Sequence, residues 1–180
     1  SETDFQPIEH IKPIIDRSNI SYAEGKRNME SYCVRNYRND KLLILRFPII
    51  LGANDYTGRT NFYLEKLKNN KKINPKNIDK KNCYIFSIEA AKSIFNYLNN
   101  DISGIYNLSE KPISEKDLMN LYCIFYKTNI SSLLDTSLKL IETPFTTNFD
   151  FIIDTKKHNN IMPSEISFKK TLFRELKKII

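Results

Sequence analysis

The feature that most constrains this chain is the run from Leu42 to Leu51, Leu-Leu-Ile-Leu-Arg-Phe-Pro-Ile-Ile-Leu, in which Arg46 is the only charged side chain. It falls well short of the roughly 18 uninterrupted apolar residues that a membrane span needs, and its length suits a strand. A half-exposed strand would alternate apolar and polar residues. A continuous apolar run instead predicts a strand covered on both faces, as in a parallel sheet with helices on either side. Pro48 has no N–H to give to a ladder, so pairing is expected to stop there.

The rest of the chain supplies the covering helices. Pro7 and Pro13 punctuate an irregular start, and Ser18-Asn19 lead toward a helix. Ser21 with Glu24 three residues on has capping-box spacing and predicts a helix over 22–37. Phe62, Tyr63 and Leu67 have helical spacing within 60–68, and residues 69–82 read as polar loop. A strand over 83–86 then precedes a helix whose inner face is expected at Ile88, Ala91, Ile94, Phe95 and Leu98. Ser103-Gly104 turns into a strand at 105–108. Ser114, with Asp117, caps a helix that turns Leu118, Leu121, Tyr122 and Phe125 inward. Residues 149–153 read as a last strand, and Ser167 as the cap of a final helix carrying Phe168, Leu172, Phe173 and Leu176 inward. Strands alternating with helices predict an α/β fold.

Composition removes several function classes. The cysteines Cys33, Cys83 and Cys123 are odd in number and far apart, which fits neither a disulfide framework nor paired zinc ligands, so reduced thiols and a cytoplasmic setting are expected. His10 and His158 are isolated and read as surface or loop residues, with no metal site. The opening Ser1-Glu2-Thr3-Asp4 carries no leader and reads as an internal start. The net charge of +7 raises the question of nucleic acid. The densest stretch, from Lys66 to Lys81, alternates lysine with asparagine rather than with stacking aromatics. A solvated basic loop is the expected reading, with an electrostatic funnel or a polyanion surface as alternatives.

The residues that carry chemistry are Tyr22 and Lys26, in Tyr-Ala-Glu-Gly-Lys. Four apart on a helix, they project from one face. An ammonium beside a phenol favours the phenolate. A tyrosine so placed can take a proton from an alcohol, or return one to a carbonyl, while hydride moves to or from a nicotinamide. The spacing alone is common on amphipathic helices, so its context matters.

That context is a succession in register. After Tyr22-x-x-x-Lys26 come Leu45-Arg46-Phe47-Pro48 through Gly52, then Tyr84-Ile85-Phe86-Ser87-Ile88-Glu89-Ala90-Ala91, then Gly104-Ile105-Tyr106-Asn107, then Ile113-Ser114, and late in the chain Asp154-Thr155-Lys156-Lys157. The series resembles the extended short-chain dehydrogenase/reductase family, the NAD-dependent epimerases and dehydratases, over nearly the whole chain.

The resemblance implies the C-terminal part of a Rossmann-like doubly wound parallel sheet plus a small α/β substrate-binding domain. Residues 1–51 would be a remnant of the dinucleotide-binding domain. Residues 52–180 would be mainly substrate-binding, with one further core strand near 105–108. It implies NAD or NADP as cofactor and a small hydroxyl or carbonyl substrate such as a sugar or nucleotide sugar, in an enzyme that is a homodimer when complete. Tyr22 would be the acid/base, and Lys26 would hold the ribose hydroxyls of the nicotinamide. Pro48, Ile49 and Ile50 would lie against the nicotinamide. Ser1, 21 residues before Tyr22, is the candidate for the hydroxyl that binds the substrate oxygen, and Arg59 for an anion-binding substrate contact.

The chain departs from the family in three places. Ile49 stands where many sugar-nucleotide members have an asparagine that contacts the diphosphate, and Ile88-Glu89 replace paired aspartates. The four glycines, Gly25, Gly52, Gly58 and Gly104, form no Gly-rich dinucleotide turn. Two readings therefore stand beside that of an enzyme fragment: a cofactor-free binding module with Tyr22 and Lys26 idle, and a basic polyanion-binding domain.

Overall fold

Pro48 divides the apolar run between two partners. In the computed structural model, which describes residues 1–2, 4–10, 20–163 and 167–180, strand β1 (Leu43–Arg46) pairs in parallel with Gly104–Asn107, whereas β2 (Ile49–Leu51) pairs in parallel with Tyr84–Phe86. Pairing thus stops at Pro48 as expected, and a second strand, not expected from the sequence, resumes beyond it on a different partner. Phe47 and Pro48 form the joint, because a residue without an N–H cannot carry a ladder across it.

Helix α1 (Tyr22–Asn36) precedes β1, and α2 (Phe62–Lys68) follows β2. The segment read as loop contains two short strands, β3 (Asn74–Pro75) and β4 (Lys81–Asn82), ahead of β5 (Tyr84–Phe86). Helix α3 (Ser87–Asn99) crosses over to β6 (Gly104–Asn107). The chain continues through β7 (Ile113–Ser114), α4 (Glu115–Phe125), β8 (Leu140–Ile141), α5 (Lys156–Asn159) and α6 (Phe168–Leu176). β3 pairs with β8 in parallel and β4 with β7 antiparallel. The expected turn at Pro13 and lead-in at Ser18-Asn19 lie outside the described residues.

Two apolar clusters hold these elements, and β5 sits between them. Its side chains alternate, so Tyr84 and Phe86 enter one cluster and Ile85 the other. The larger cluster gathers Leu51, Tyr63, Leu64, Leu118, Met119, Tyr122, Leu172 and Leu176, drawn from β2, α2, α4 and α6, with Phe145 from the segment after β8. The smaller packs Ala90, Tyr97, Tyr106 and Leu108 against Leu43, Leu45 and Phe47, which joins α3 to the β1–β6 pair. Each large side chain buried in this way contributes about 1.5–3 kcal/mol.

Four expectations are corrected here. The inner face of α3 is Ala90, Ser93 and Tyr97, while Ile94, Phe95 and Leu98 face solvent. The Tyr97 ring decides this, because it packs on Tyr106 at 4.8 Å and stacks on His158 at 5.9 Å. His158 is consequently buried rather than a loop residue, and its Nδ1 is 2.9 Å from the Tyr97 hydroxyl. Burial lowers the pKa of His158 and raises that of Tyr97 to about 12. Residues 149–153 form no strand: Phe151 N donates to Lys81 O, but the Asp150 carboxylate takes Lys81 N and the Cys83 thiol takes Ile153 N. Side chains thus fill places that ladder partners would occupy. Ser167 precedes α6 as expected but makes no side-chain cap bond.

Cys83 and Cys123 are buried, Cys33 is half-buried, and all three are free thiols. Among the described residues no helix is long and apolar enough to cross a membrane, and no group of three His, Cys, Asp or Glu side chains is placed to hold a metal ion.

Candidate functional site

Helix α1 begins where Ser21 stops it from unwinding: the Ser21 hydroxyl accepts Glu24 N at 3.2 Å. Tyr22 is thereby the first helical residue, and Lys26, one turn on, holds its ammonium 5.5 Å from the centre of the Tyr22 ring. Both side chains reach a cleft of about 1170 Å³.

Two sets of contacts fix the helix. The Arg46 guanidinium clasps the Glu30 carboxylate, with Nε 3.1 and 3.0 Å from its two oxygens and Nη2 2.7 Å from Oε2. It also donates to the carbonyls of Glu2 and Phe5 at 3.3 Å. That is how one arginine is accommodated in an apolar strand. His10 is tied to the helix as well. His10 Nε2 lies 2.9 Å from Asn28 Oδ1 and 3.1 Å from Glu24 Oε1, and the Ser31 hydroxyl donates to the His10 carbonyl at 2.8 Å.

The opposite wall is the loop after β2. Gly52 N donates to Thr60 Oγ1 at 3.0 Å, and Ala53 N to Glu175 Oε2 of α6 at 3.2 Å. A side chain at position 52 would meet Ser87 Oγ at 2.4 Å, so only glycine lets the loop lie against the start of α3. The Asp55 carboxylate gathers Thr57 N at 2.9 Å, Thr60 N at 3.0 Å and the hydroxyls of both threonines. Burial acts to raise the pKa of Asp55, but these hydrogen bonds outweigh it and the net direction is down. From below, the Tyr122 hydroxyl donates to the Thr60 carbonyl at 2.8 Å.

Of the residues singled out from the sequence, Tyr22, Lys26, Pro48, Ile50 and Arg59 all line this cleft. Ile49 and Ser1 are not among its lining residues; the Ser1 hydroxyl instead donates to Asp4 Oδ1 at 3.2 Å. Lys26 and Arg59 have no carboxylate partner among the described residues, so both cations are free to meet a ligand. Sequence reasoning missed the Glu30–Arg46 clasp, the Asp55–Thr60 frame and Glu175. The lone charge in the apolar run was a usable signal for the first. The others depend on contacts that no spacing encodes.

Chemically the cleft offers a phenol and an ammonium on one wall, an apolar strand end at Pro48 and Ile50, and an unpaired guanidinium on the other wall. Such a set can hold a polar molecule by its anionic end and move a proton at a hydroxyl or carbonyl.

No protein-family model matches the chain, and no curated protein matches it. Solved structures do. The UDP-N-acetylglucosamine 4-epimerase of Bacillus cereus superposes with a TM-score of 0.64 at 14% identity, covering 87% of this chain and 54% of that one. A double mutant of the dTDP-glucose 4,6-dehydratase of Streptomyces venezuelae, solved with NAD bound, gives a TM-score of 0.67 at 13% identity, with 87% and 49% covered. The UDP-glucose 4-epimerase of Thermotoga maritima, solved with UDP-glucose, gives 0.62 at 12% identity, with 87% and 51% covered. The chain therefore has the fold of the nucleotide-sugar epimerases and dehydratases and spans about half the length of the structures it matches.

Proposed function

We propose that this chain supplies the acid/base helix and the substrate side of an NAD(P)-dependent epimerase, dehydratase or reductase, with Tyr22 and Lys26 as its catalytic pair. The observation that carries this reading is that Tyr22, Lys26, Pro48 and Ile50 line one cleft in a chain with the fold of enzymes solved with NAD.

The nicotinamide end of a dinucleotide fits the residues present. Lys26 offers an uncommitted ammonium for the ribose hydroxyls, and Pro48 and Ile50 offer an apolar wall for the ring. The pyrophosphate has no Gly-rich turn to rest on in these 180 residues, so a complementary dinucleotide-binding half is part of the proposal. When bound, the cofactor supplies the hydride acceptor. Tyr22 takes the proton of the substrate hydroxyl as the carbonyl forms and returns it in the reverse direction. The positive charge of Lys26 steadies the tyrosyl oxygen meanwhile. Arg59 holds an anionic group of the substrate, and Glu175, through Ala53 N, fixes the loop that presents it. The substrate is a hydroxyl- or carbonyl-bearing sugar derivative.

The test is turnover of the protein containing these residues, supplied with NAD(P) and UDP- or dTDP-sugars. Tyr22→Phe lowers kcat about 10²–10⁴-fold. Lys26→Ala lowers kcat and weakens cofactor binding together. Near-normal turnover by Tyr22→Phe refutes the assignment.

A further inference from the structure

The positive charge of the chain is concentrated in one stretch. Residues 66–81 hold seven lysines against one aspartate, and so +6 of the net +7. The alternation of lysine with asparagine suggests a solvated loop, but the structure binds this stretch to the body of the protein. Ile73 N donates to Leu133 O at 2.8 Å, Lys76 N to Ile141 O at 2.9 Å, and Lys116 N of α4 to Ile78 O at 2.9 Å. The asparagines serve that frame. Asn70 and Asn77 take left-handed turn positions at φ +51° and +55°, which asparagine adopts more readily than most residues, and Asn74 Nδ2 donates to the carbonyls of Thr136 and Leu138. Lys68, Lys71, Lys72, Lys76, Lys80 and Lys81 are left exposed on it. Carboxylates answer part of this charge: Glu142 pairs with Lys76 at 3.2 Å, Asp79 faces Lys116 at 3.9 Å, and Asp135 lies in the field of Lys72. The Asp150 carboxylate is taken by Lys81 N. Lys68, Lys71, Lys80 and Lys81 form no ion pair among the described residues.

The aromatic rings that are missing from the stretch itself arrive from another part of the chain. Asn77 Nδ2 donates to Thr147 O at 3.0 Å, and Phe151 N to Lys81 O at 2.8 Å, so residues 147–151 lie along 77–81. Phe149 and Phe151 in that segment are 64% and 39% exposed. We propose that this face binds single-stranded nucleic acid, with the ammonium groups of Lys68, Lys71, Lys72, Lys80 and Lys81 meeting phosphates and Phe149 and Phe151 taking unpaired bases. Lysines on a fixed frame beside exposed rings are the combination that strand binding uses, and paired bases would keep their faces from the rings. An anionic membrane is the poorer fit, because it is met by a long amphipathic helix and this face is built of two-residue strands and turns. None of these residues lines the cleft, so the inference stands apart from proton transfer at Tyr22.

The experiment is fluorescence anisotropy of a labelled oligouridylate of about 12 nucleotides, within the usual site sizes, titrated with the full chain between about 50 and 200 mM salt. Log affinity falls linearly with log salt, by about 0.7 for each phosphate neutralised. Lys71→Gln with Lys72→Gln makes the slope shallower by about 1.4. Phe149→Ala with Phe151→Ala weakens binding about tenfold or more, within the range for stacked bases, and leaves the slope unchanged. All four positions are exposed, so the variants keep the thermal unfolding midpoint of the unsubstituted chain. Tyr22→Phe changes neither affinity nor slope, which separates failure of this proposal from failure of the acid/base reading. No binding at the lowest salt overturns the proposal, as does equal affinity for a duplex of the same length. Affinity that survives loss of both rings overturns it too, and tighter binding to phosphatidylserine vesicles than to the oligonucleotide overturns it in favour of a membrane.

Discussion

Arg46 clasps Glu30 through both carboxylate oxygens, at 2.7–3.1 Å, with the two side chains only 19% and 15% exposed. The clasp ties strand β1 to the helix bearing Tyr22 and Lys26. Glu30→Ala leaves the largely covered guanidinium with two carbonyls and only the more distant charge of Asp4, and costs up to about 3 kcal/mol, the low end of what breaking a buried pair costs. Replacing both residues together, Glu30→Leu with Arg46→Met, costs less than either alone. Urea unfolding of the unsubstituted protein, Glu30→Leu, Arg46→Met and the double variant gives the coupling energy, and additive losses would mean that the two side chains do not act as a unit.

Gly52 sets a second requirement. Gly52→Ala drives a methyl group into Ser87, 2.4 Å from Oγ and 3.2 Å from Cβ, and costs about 1–3 kcal/mol by overpacking. Ser87→Ala relieves the first contact but not the second, so the double variant recovers part of the loss. Thermal unfolding reads both effects.

Glu115 makes stability depend on pH. It is buried at the start of α4, where the hydroxyls of Tyr63 and Thr143 donate to it and no cation forms an ion pair with it among the described residues. Burial raises its pKa, and the two hydrogen bonds only partly oppose this. With the folded pKa above the unfolded value, the native state binds the proton more tightly. Stability attributable to this group is full below about pH 4.5 and is lost as pH rises through the folded pKa. Glu115→Gln keeps an acceptor for both hydroxyls and removes the charge. Its advantage in urea midpoint grows from pH 5 to pH 8; an advantage that shrinks over that interval contradicts the assignment. His158 contributes with the opposite slope between its lowered pKa and 6.5, where only the unfolded chain is protonated. The comparison is therefore made on the difference between variants.

The isolated 180 residues bind NAD weakly, if measured by calorimetry, because dinucleotide affinity in this fold depends on a glycine turn at a helix N-terminus. Micromolar affinity would show that turn to be dispensable. The isolated chain also self-associates, since β1 pairs only with β6 among the described residues and α3 presents Phe95 and Leu98 at 69% and 64% exposure. Phe95→Lys with Leu98→Gln reduces light scattering without altering the fold.

What the sequence revealed was whatever depends on neighbours in the chain. The Ser21 cap, the one-turn spacing of Tyr22 and Lys26, the break at Pro48 and the Ser114 cap are all local, and the structure contains each of them. The inner face of α3 was misread because apolar content alone ranked Phe95 above Ser93. The packing of Tyr97 between Tyr106 and His158 decides the rotation of the helix, and those partners come from β6 and α5. Residues 149–153 have strand-forming side chains, yet Asp150 and Cys83 fill the hydrogen bonds that a strand would use. In the cleft, the catalytic candidates followed a pattern, whereas Asp55, Thr60 and Glu175 act through bonds to backbone N–H groups that no residue type announces.

The joint at Phe47–Pro48 also bears on how the chain finds its fold. The β2–β5 pairing lies wholly inside the stretch closed by β1–β6, since Ile49 meets Tyr84 while Leu43 meets Gly104. Closing a loop costs entropy that grows with the logarithm of its length. Once the inner pair has formed, the chain joining the outer strands is already tethered, and β1 need search only the residues between Phe86 and Gly104. The proline that divides the strand thus turns one long-range closure into two nested shorter ones.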